Sequence, residues 1–295
     1  MPEETTTQPI GQLTPVVNLI ERSLNRFKRL FSPLFPWLVI SCLGGFMAAL
    51  ANATIPLWQR SSIAVVGLVI LFVSYIAEIR IISGVEQEPN DIVSNTRASL
   101  KLFFPYIWLA ILETFIFISG ITLVVPAIIF VVYVVIVPFV FVVENGRGLP
   151  ALTRSWGYVA GRWWATLWRL MVVVFLVLVV TFILDLILAL SFGFSPILVN
   201  SMRFWGVVLI QQLIEAFLLA PWVILYLFEL YQDLRTTKSV PATADEKTAR
   251  LWLVIFLILG IILALLFAFG AVTHTAAYGA HQEIFHTFTT GSLVP

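Results

Sequence analysis

The sequence predicts an all-α polytopic membrane protein, with three repeats of an amphipathic interfacial helix plus a transmembrane hairpin, and one extra C-terminal transmembrane helix. Composition indicates the class: of 295 residues, 60% are hydrophobic and only 11% are charged, whereas soluble domains carry about a quarter charged residues. Long apolar runs indicate helices, because a spanning segment must satisfy its own backbone groups and the alternation of barrel strands is missing.

Seven apolar runs of about twenty residues are long enough to cross the hydrocarbon layer. They comprise residues 37–55, 62–83, 105–125, 126–143, 167–192, 204–231 and 251–273. Only Pro126 separates the third run from the fourth, so either a tight turn or one very long helix fits there. Lysines and arginines cluster on one set of loops, and the opposite loops hold only Arg60 and Arg203. This asymmetry predicts a multi-pass protein of the cell membrane, with its N-terminus in the cytoplasm and its C-terminus outside.

A weak internal match predicts the repeat. Stretches beginning at Leu19, Asp91 and Ala151 each read as an amphipathic segment, a bulky pair and the start of a span. The predicted organisation is a poorly ordered N-terminus (1–18), a six-span domain of three repeats (19–236), a cytoplasmic linker (237–250), a seventh span (251–273), an outer tail (274–290) and the remnant of a cleavage-site linker (291–295).

The stretch "NGRGLPALTRSWGYVAGRWWATLWRL" (145–170) combines arginines with tryptophans and contains no acid. At about 100° per residue its arginines share one face and its apolar residues the other. This predicts an interfacial helix, or two helices broken near Gly157 and Gly161, with the tryptophans at headgroup depth. Nucleic acid is not expected as a partner, because the tryptophans lie on the apolar face. The arginines either anchor the chain or bind an anionic lipid headgroup. The headgroup hypothesis uses Arg29, Lys101, Arg154, Arg162 and Arg169.

The same stretch, with "YVVIVPFVFVVENGRG" before it, resembles the membrane domain of bacterial glycerophosphodiester phosphodiesterases and related uncharacterised polytopic membrane proteins. "PWVILYLFELYQDLRTTK" is similar to the closing pattern of that family. The resemblance covers roughly residues 19–238. It implies a helical membrane module, sometimes fused to a lipid-headgroup hydrolase, that has no catalytic residues of its own.

Acids inside the spans are costly, so they indicate function or a specific polar contact. Glu113 lies in the third span and Glu215 in the sixth, with no lysine or arginine at mid-depth to pair with either. They are either neutral and hydrogen-bonded within the bundle, or they line a polar pathway. Three further polar residues belong to this candidate set: Gln211, Gln212 and Asp185. The sequence also predicts three edge ion pairs: Asp185 with Arg203, Glu78 with Arg80, and Glu229 with Arg235.

Two prolines interrupt comparable places in the fourth and sixth spans, Pro138 and Pro221. Each removes a helical hydrogen bond and bends its helix. Matched interruptions are typical of binding cavities in transporters, although kinks can also simply shape a packed bundle.

No motif for a cofactor, metal or catalytic site occurs in the sequence, so enzyme activity is not expected. His274, His281 and His286 match no zinc signature. The sequence predicts a non-catalytic membrane module that binds anionic lipid or a protein partner, or a second copy of itself, at the cytoplasmic interface. The alternative is a channel or permease that moves a small solute or ion past the intramembrane acids.

Overall fold

The computed structural model describes residues 13–49, 56–85, 91–121, 124–192, 202–237 and 247–267. These residues are mostly helical, and no strand occurs among them. In chain order the helices are α1 (Val16–Ala49), α2 (Leu57–Ser83), α3 (Ile92–Ile121), α4 (Val124–Val134), α5 (Val137–Val143), α6 (Leu149–Val159), α7 (Trp163–Phe192), α8 (Met202–Ile214), a π-helical turn (Glu215–Leu219), α9 (Ala220–Thr237) and α10 (Lys247–Phe267).

Six helices in the described ranges are long and apolar enough to cross a membrane. They are α1, α2, α3, α7, the continuous unit of α8, π-helical turn and α9, and α10. The fourth predicted span instead consists of α4 and α5, with 11 and 7 residues. The break lies at Val135 and Ile136, because Pro138 has no N–H to donate to the carbonyl one turn earlier.

The predicted interfacial helices are separate elements in only one of the three copies. Helix α1 continues through Pro33 and Pro36, and α3 continues through Pro105. The 34 residues of α1 correspond to about 51 Å, more than the hydrocarbon thickness of about 30 Å, so its amphipathic part extends beyond the span. In the third copy, Gly161 adopts a φ of +82° and separates α6 from α7. The three-fold repeat itself stays a prediction.

Helix α1 packs mainly against α2 and α9. The end of the bundle that carries Arg26, Arg154, Arg162 and Arg235 is called the basic end below, and the predicted topology places it in the cytoplasm. The most deeply buried aromatic side chains form the core near this end: Trp37, Phe139, Phe141, Tyr226, Phe228 and Tyr231. Helices α7 and α10 are peripheral, since only 11% of the most apolar window of each is buried, against 44% for Leu209–Thr237.

Residues 13–18, predicted to be poorly ordered, form a buried contact and the first turn of α1. Thr14 is 1% exposed, and its N–H and hydroxyl each donate to a carboxylate oxygen of Asp233 at 2.8 Å. Arg169 donates to the carbonyl oxygen of Thr14 at 2.7 and 3.1 Å. The chain is therefore held in place several residues earlier than expected. The start of the N-terminus, most of the linker and the outer tail with its histidines lie outside the described residues.

Candidate functional site

A cavity of about 820 Å³ lies among the helices of the bundle as a cleft, and more of its boundary is open than enclosed. Helices α1, α2, α3, α4, α5, α7 and α9 and the π-helical turn all contribute to its wall. Most of the wall is apolar. Its polar side chains are Ser41, Tyr75, Glu78, Tyr106, Glu113, Thr181 and Glu215. Among the described residues that line the cavity, none is basic.

The structure brings the two predicted acids, Glu113 and Glu215, to this one cavity. Glu113 projects from α3, and Glu215 is the first residue of the π-helical turn. A third acid, Glu78 of α2, joins them. The sequence predicted that Glu78 pairs with Arg80 at the membrane edge, and that prediction is wrong, because the Glu78 side chain lines the cavity and the residue is 2% exposed.

A signal for Glu78 was present in the sequence. Leu68, Leu71, Tyr75 and Glu78 follow one another at intervals of three and four residues, the spacing that places side chains on one helix face. All four line the cavity. The environment of the Glu78 carboxyl group is decided mainly by the face of α2 on which it lies. Its distance from the end of the helix matters less.

The carboxyl groups have few hydrogen-bond partners. Gln211 donates to Glu215 at 3.1 Å, and Ser41 forms a hydrogen bond with the Glu78 side chain. The Oε1 atoms of Glu78 and Glu113 are buried and have no hydrogen-bond partner within the described chain. A carboxylate without water or a counter-ion is unfavourable in this setting, so these groups require a proton or a bound cation to offset their charge.

Both predicted helix interruptions lie at the cavity. Pro138 lines it directly, next to the break between α4 and α5. Pro221 is buried two residues beyond the π-helical turn. The wider geometry of that turn is marked by the bond from the Ala220 N–H to the Glu215 carbonyl. Since Pro221 cannot donate the usual α-helical bond, it favours this local widening. The π-helical turn carries Glu215 and Leu219 of the lining, and the first turn of α9 adds Ala220 and Val223.

A second cavity of about 430 Å³ adjoins the first, between α3 and α4. The two cavities share part of their lining: Phe72, Tyr106, Glu113, Val134 and Val135. Glu113 thus lies in the wall common to both spaces. A proton or cation that passes between them would pass this carboxyl group.

The remaining predicted intramembrane residues lie elsewhere. Asp185 is exposed on α7 and does not line either cavity. The side chain of Arg203, its predicted partner, lies outside the described residues. Gln212 packs over Gly45 of α1, where an added Cβ would lie 2.3 Å from its Nε2 atom. Gln212 therefore fills a helix–helix contact, and its neighbour Gln211 is the glutamine that reaches Glu215.

The five basic residues predicted to bind a headgroup do not form one cluster. Arg169 is 8% exposed and donates to the carbonyls of Thr14 and Ala165, so its assignment to a lipid headgroup is wrong. Arg162 donates to the hydroxyl and the carbonyl of Thr237. The angular pattern of the sequence does not distinguish a helix face that meets lipid from one that meets α9 or the N-terminal segment.

The other three basic residues are exposed. Arg29 lies beside a cavity of about 600 Å³ at the basic end, Lys101 lies on α3, and Arg154 is 3.5 Å from a carboxylate oxygen of Glu144. They come from α1, α3 and α6 respectively. Arg29 shares its cavity with Arg22 and Arg26, and Lys101 lines two open pockets on α3 together with Arg97.

The apolar face of helix α6, with its tryptophan, packs on protein. Trp156 stacks on Tyr133, with ring centroids 3.8 Å apart, and its apolar neighbours Leu152 and Val159 belong to the hydrophobic core. The exposed tryptophans of the stretch, Trp164 and Trp168, lie on α7 instead. The amphipathic pattern of α6 thus reflects packing on protein.

Sequence reasoning missed Glu144, which organises the basic end. It accepts hydrogen bonds from the hydroxyls of Tyr158 at 2.9 Å and Tyr231 at 2.7 Å, and lies 3.5 Å from Arg154 and 3.9 Å from Arg235. Burial and the neighbouring Glu144 raise the pKa of Tyr158 to about 12. The only signal in the sequence was an acid at the end of an apolar run, directly before the "NGRG" turn.

The predicted ion pair of Glu229 with Arg235 is wrong. Glu229 pairs with Arg26 at 2.6 Å, and Arg235 lies 3.9 Å from Glu144.

Six spanning helices define the chain as a multi-pass integral membrane protein of the helical class. No group of three or more histidine, cysteine or acidic residues that could hold a metal ion occurs in the described part of the chain. No family model matches the sequence, and comparisons with curated proteins and with solved structures gave no significant match. The resemblance to the phosphodiesterase membrane domain therefore stays a prediction.

Proposed function

We propose that this protein is a channel or permease that moves a small solute or ion through its helical bundle. The observation that carries the proposal is the convergence of Glu78, Glu113 and Glu215 on one cavity without a basic residue among the described lining. Acids held in this way inside spans are typical of ion pathways and proton relays. Acids that serve only as structural contacts would be closed off by hydrogen bonds, and two of these carboxyl groups have an oxygen without a partner in the described part of the chain.

The arrangement of the helices supports the same proposal. Helix interruptions at Pro138 and at the π-helical turn border the cavity, as in transporters whose broken helices surround a binding site near mid-membrane. The carboxyl groups are also staggered in depth. Glu78 is five residues, or about 7.5 Å, from the end of α2. Glu229 of α9 lies beside that end of α2, and Glu215 is 14 residues, or about 21 Å, from Glu229.

The experiment is a flux measurement on purified protein in liposomes. Vesicles containing a pH-sensitive dye receive an imposed gradient of protons, Na⁺, K⁺ or methylammonium. We expect flux above that of protein-free vesicles, and at least about a tenfold loss with Glu113→Gln, because the carboxyl group shared by the two cavities is then gone. Glu215→Gln is expected to act in the same direction.

Asp185→Asn is the matched control, since it removes an acid from a span without touching the cavity. Its flux should equal that of the unmodified protein. The proposal is refuted if no probe moves faster than in protein-free vesicles, or if the Glu113 and Glu215 variants transport as well as the control.

A second candidate is a non-catalytic module that binds anionic lipid at the basic end. It is supported by the cavity of about 600 Å³ that Arg22, Arg26 and Arg29 line together. Arg26 is already paired with Glu229 at 2.6 Å, so Arg22 and Arg29 would supply the free charge. Loss of binding to anionic liposomes in Arg22→Ala and Arg29→Ala, with flux absent, would favour this module.

A further inference from the structure

The carboxyl group of Glu78 is a candidate contact for a ligand in the cavity. The residue is 2% exposed, its side chain lines the cavity, and its Oε1 atom has no hydrogen-bond partner in the part of the chain described here. Ser41 provides a hydrogen bond to the same carboxyl group. A buried polar atom without a partner is unfavourable, so a positive charge placed beside this carboxyl group would offset part of that cost.

The charge of the cavity selects a cation as that ligand. The elements around Glu78 present hydroxyl groups from Ser41 and Tyr75 and further carboxyl groups from Glu113 and Glu215, and the described lining contains no lysine or arginine. An anionic ligand would meet only like charge. A cation would compensate the carboxylates in a region of low dielectric, where the attraction is strong.

The wall of the cavity argues against a bare metal ion. Divalent cations need about six oxygen ligands in a compact shell, and no three acids of the described chain lie close enough together to hold a metal. The cavity of about 820 Å³ falls instead in the range of pockets that enclose whole organic molecules, roughly 300–1,000 Å³.

The apolar lining indicates that the ligand carries apolar groups beside its positive charge. The rings of Phe72 and Tyr75 each lie 6.0 Å from the ring of Tyr106, and the three rings line the cavity together. Such aromatic faces attract weakly hydrated organic cations. Leucine and valine side chains complete the wall: Leu68, Leu71, Val134, Val135, Val177, Leu219, Val223 and Leu227.

We propose that the cavity binds monovalent amphipathic organic cations, with the Glu78 carboxylate as the counter-ion and the aromatic wall around their apolar body. This inference rests on the proposed transport function and names its substrate class. An organic cation with a delocalised or shielded charge loses little hydration when it enters the cavity. A compact alkali ion would lose much more hydration for the same electrostatic gain.

Binding of radiolabelled tetraphenylphosphonium to the purified full chain in detergent tests the proposal. We expect saturable binding, at least about tenfold weaker with Glu78→Gln, partly restored with Glu78→Asp, and unchanged with Asp185→Asn. Triphenylphosphine oxide, a neutral molecule of similar bulk, should not compete, because it lacks the charge. A thermal unfolding measurement on each variant confirms that the folded state is retained.

The outcomes separate this inference from the transport function. Binding that is unsaturable, equal in the Glu78→Gln protein, or displaced by the neutral molecule would overturn the inference. Flux of Na⁺ or K⁺ that depends on Glu113, without saturable tetraphenylphosphonium binding, would overturn the substrate class and leave transport intact. Binding that depends on Glu78, without flux of those probes or of radiolabelled tetraethylammonium, an organic cation that crosses protein-free vesicles slowly, would support the cation site and refute transport.

Discussion

Replacement of Arg169 by alanine should weaken the folded state, and it should leave lipid binding unchanged. The guanidinium group donates to the Thr14 carbonyl through Nε at 3.1 Å and Nη2 at 2.7 Å, and to the Ala165 carbonyl at 2.8 Å. Thr14 in turn donates twice to Asp233. Arg169 therefore connects the N-terminal segment, α7 and α9 through one chain of hydrogen bonds.

The magnitude follows from these contacts. A hydrogen bond that involves a charged group contributes about 1.5–3 kcal/mol. The two bonds to Thr14 share one acceptor, so their contributions do not add fully. Removal also leaves a buried carbonyl unpaired and takes a cation away from the vicinity of Asp233. The expected loss is about 2–4 kcal/mol in the free energy of unfolding. By comparison, Arg154→Ala breaks a 3.5 Å pair in which the arginine side chain is 47% exposed, and it should cost less than about 1 kcal/mol.

Thermal unfolding in detergent measures the difference. Cys42, the only cysteine of the chain, is 7% exposed, so a thiol-reactive fluorescent dye reports its exposure on unfolding. The apparent melting temperature should fall by about 5 °C or more for Arg169→Ala and change little for Arg154→Ala. A stable Arg169→Ala protein with reduced affinity for anionic liposomes would refute the reasoning and restore the headgroup assignment.

Two more predictions concern packing and pH. Gly260→Ala should separate α10 from α3 and expose α10 to proteolysis, because the new Cβ would lie 1.8 Å from the Phe115 carbonyl oxygen. Gly206→Ala is the control: its new Cβ would have no atom within 4 Å, so the cleavage pattern should not change. The phenol of Tyr158 should titrate near 12, instead of about 10, in an ultraviolet titration against Tyr158→Phe. Since the folded-state pKa is raised, its stability contribution is complete below about pH 10 and is lost as the pH rises through 12. Titration near 10 would contradict the hydrogen bond to Glu144.

The sequence predicted the fold well where the physical cause is local. A run of apolar residues predicts a membrane helix whatever its neighbours are, because the backbone must be satisfied within the segment. The fourth predicted span shows the limit: its composition is right, yet Pro138 and the break at Val135 and Ile136 divide it into two short helices. The amphipathic stretches before Pro33 and Pro105 continue into their spans, because tertiary packing holds α1 and α3 helical through a proline.

Part of the candidate site was predictable because the cost of a charge inside a span is also a local property of the segment. Glu113 and Glu215 drew attention because a charge in a span is costly wherever the helix packs. The predicted pair of Glu78 with Arg80 followed from the position of Glu78 near the end of α2. The face that Glu78 shares with Tyr75 decides its environment instead. Glu144 gave no usable signal, since its partners Tyr158 and Tyr231 lie 14 and 87 residues away in sequence.

The sequence by itself determined that this is a helical membrane protein with acids inside its spans, because composition and the cost of buried charge are properties of each segment. The tertiary structure alone decided which of the polar residues face the cavity and which are used internally. One residue along a helix turns a side chain by about 100°, so the rotation of each helix against its neighbours decides the environment of every residue on it. That rotation directs Glu78 into the cavity and Arg169 onto Thr14.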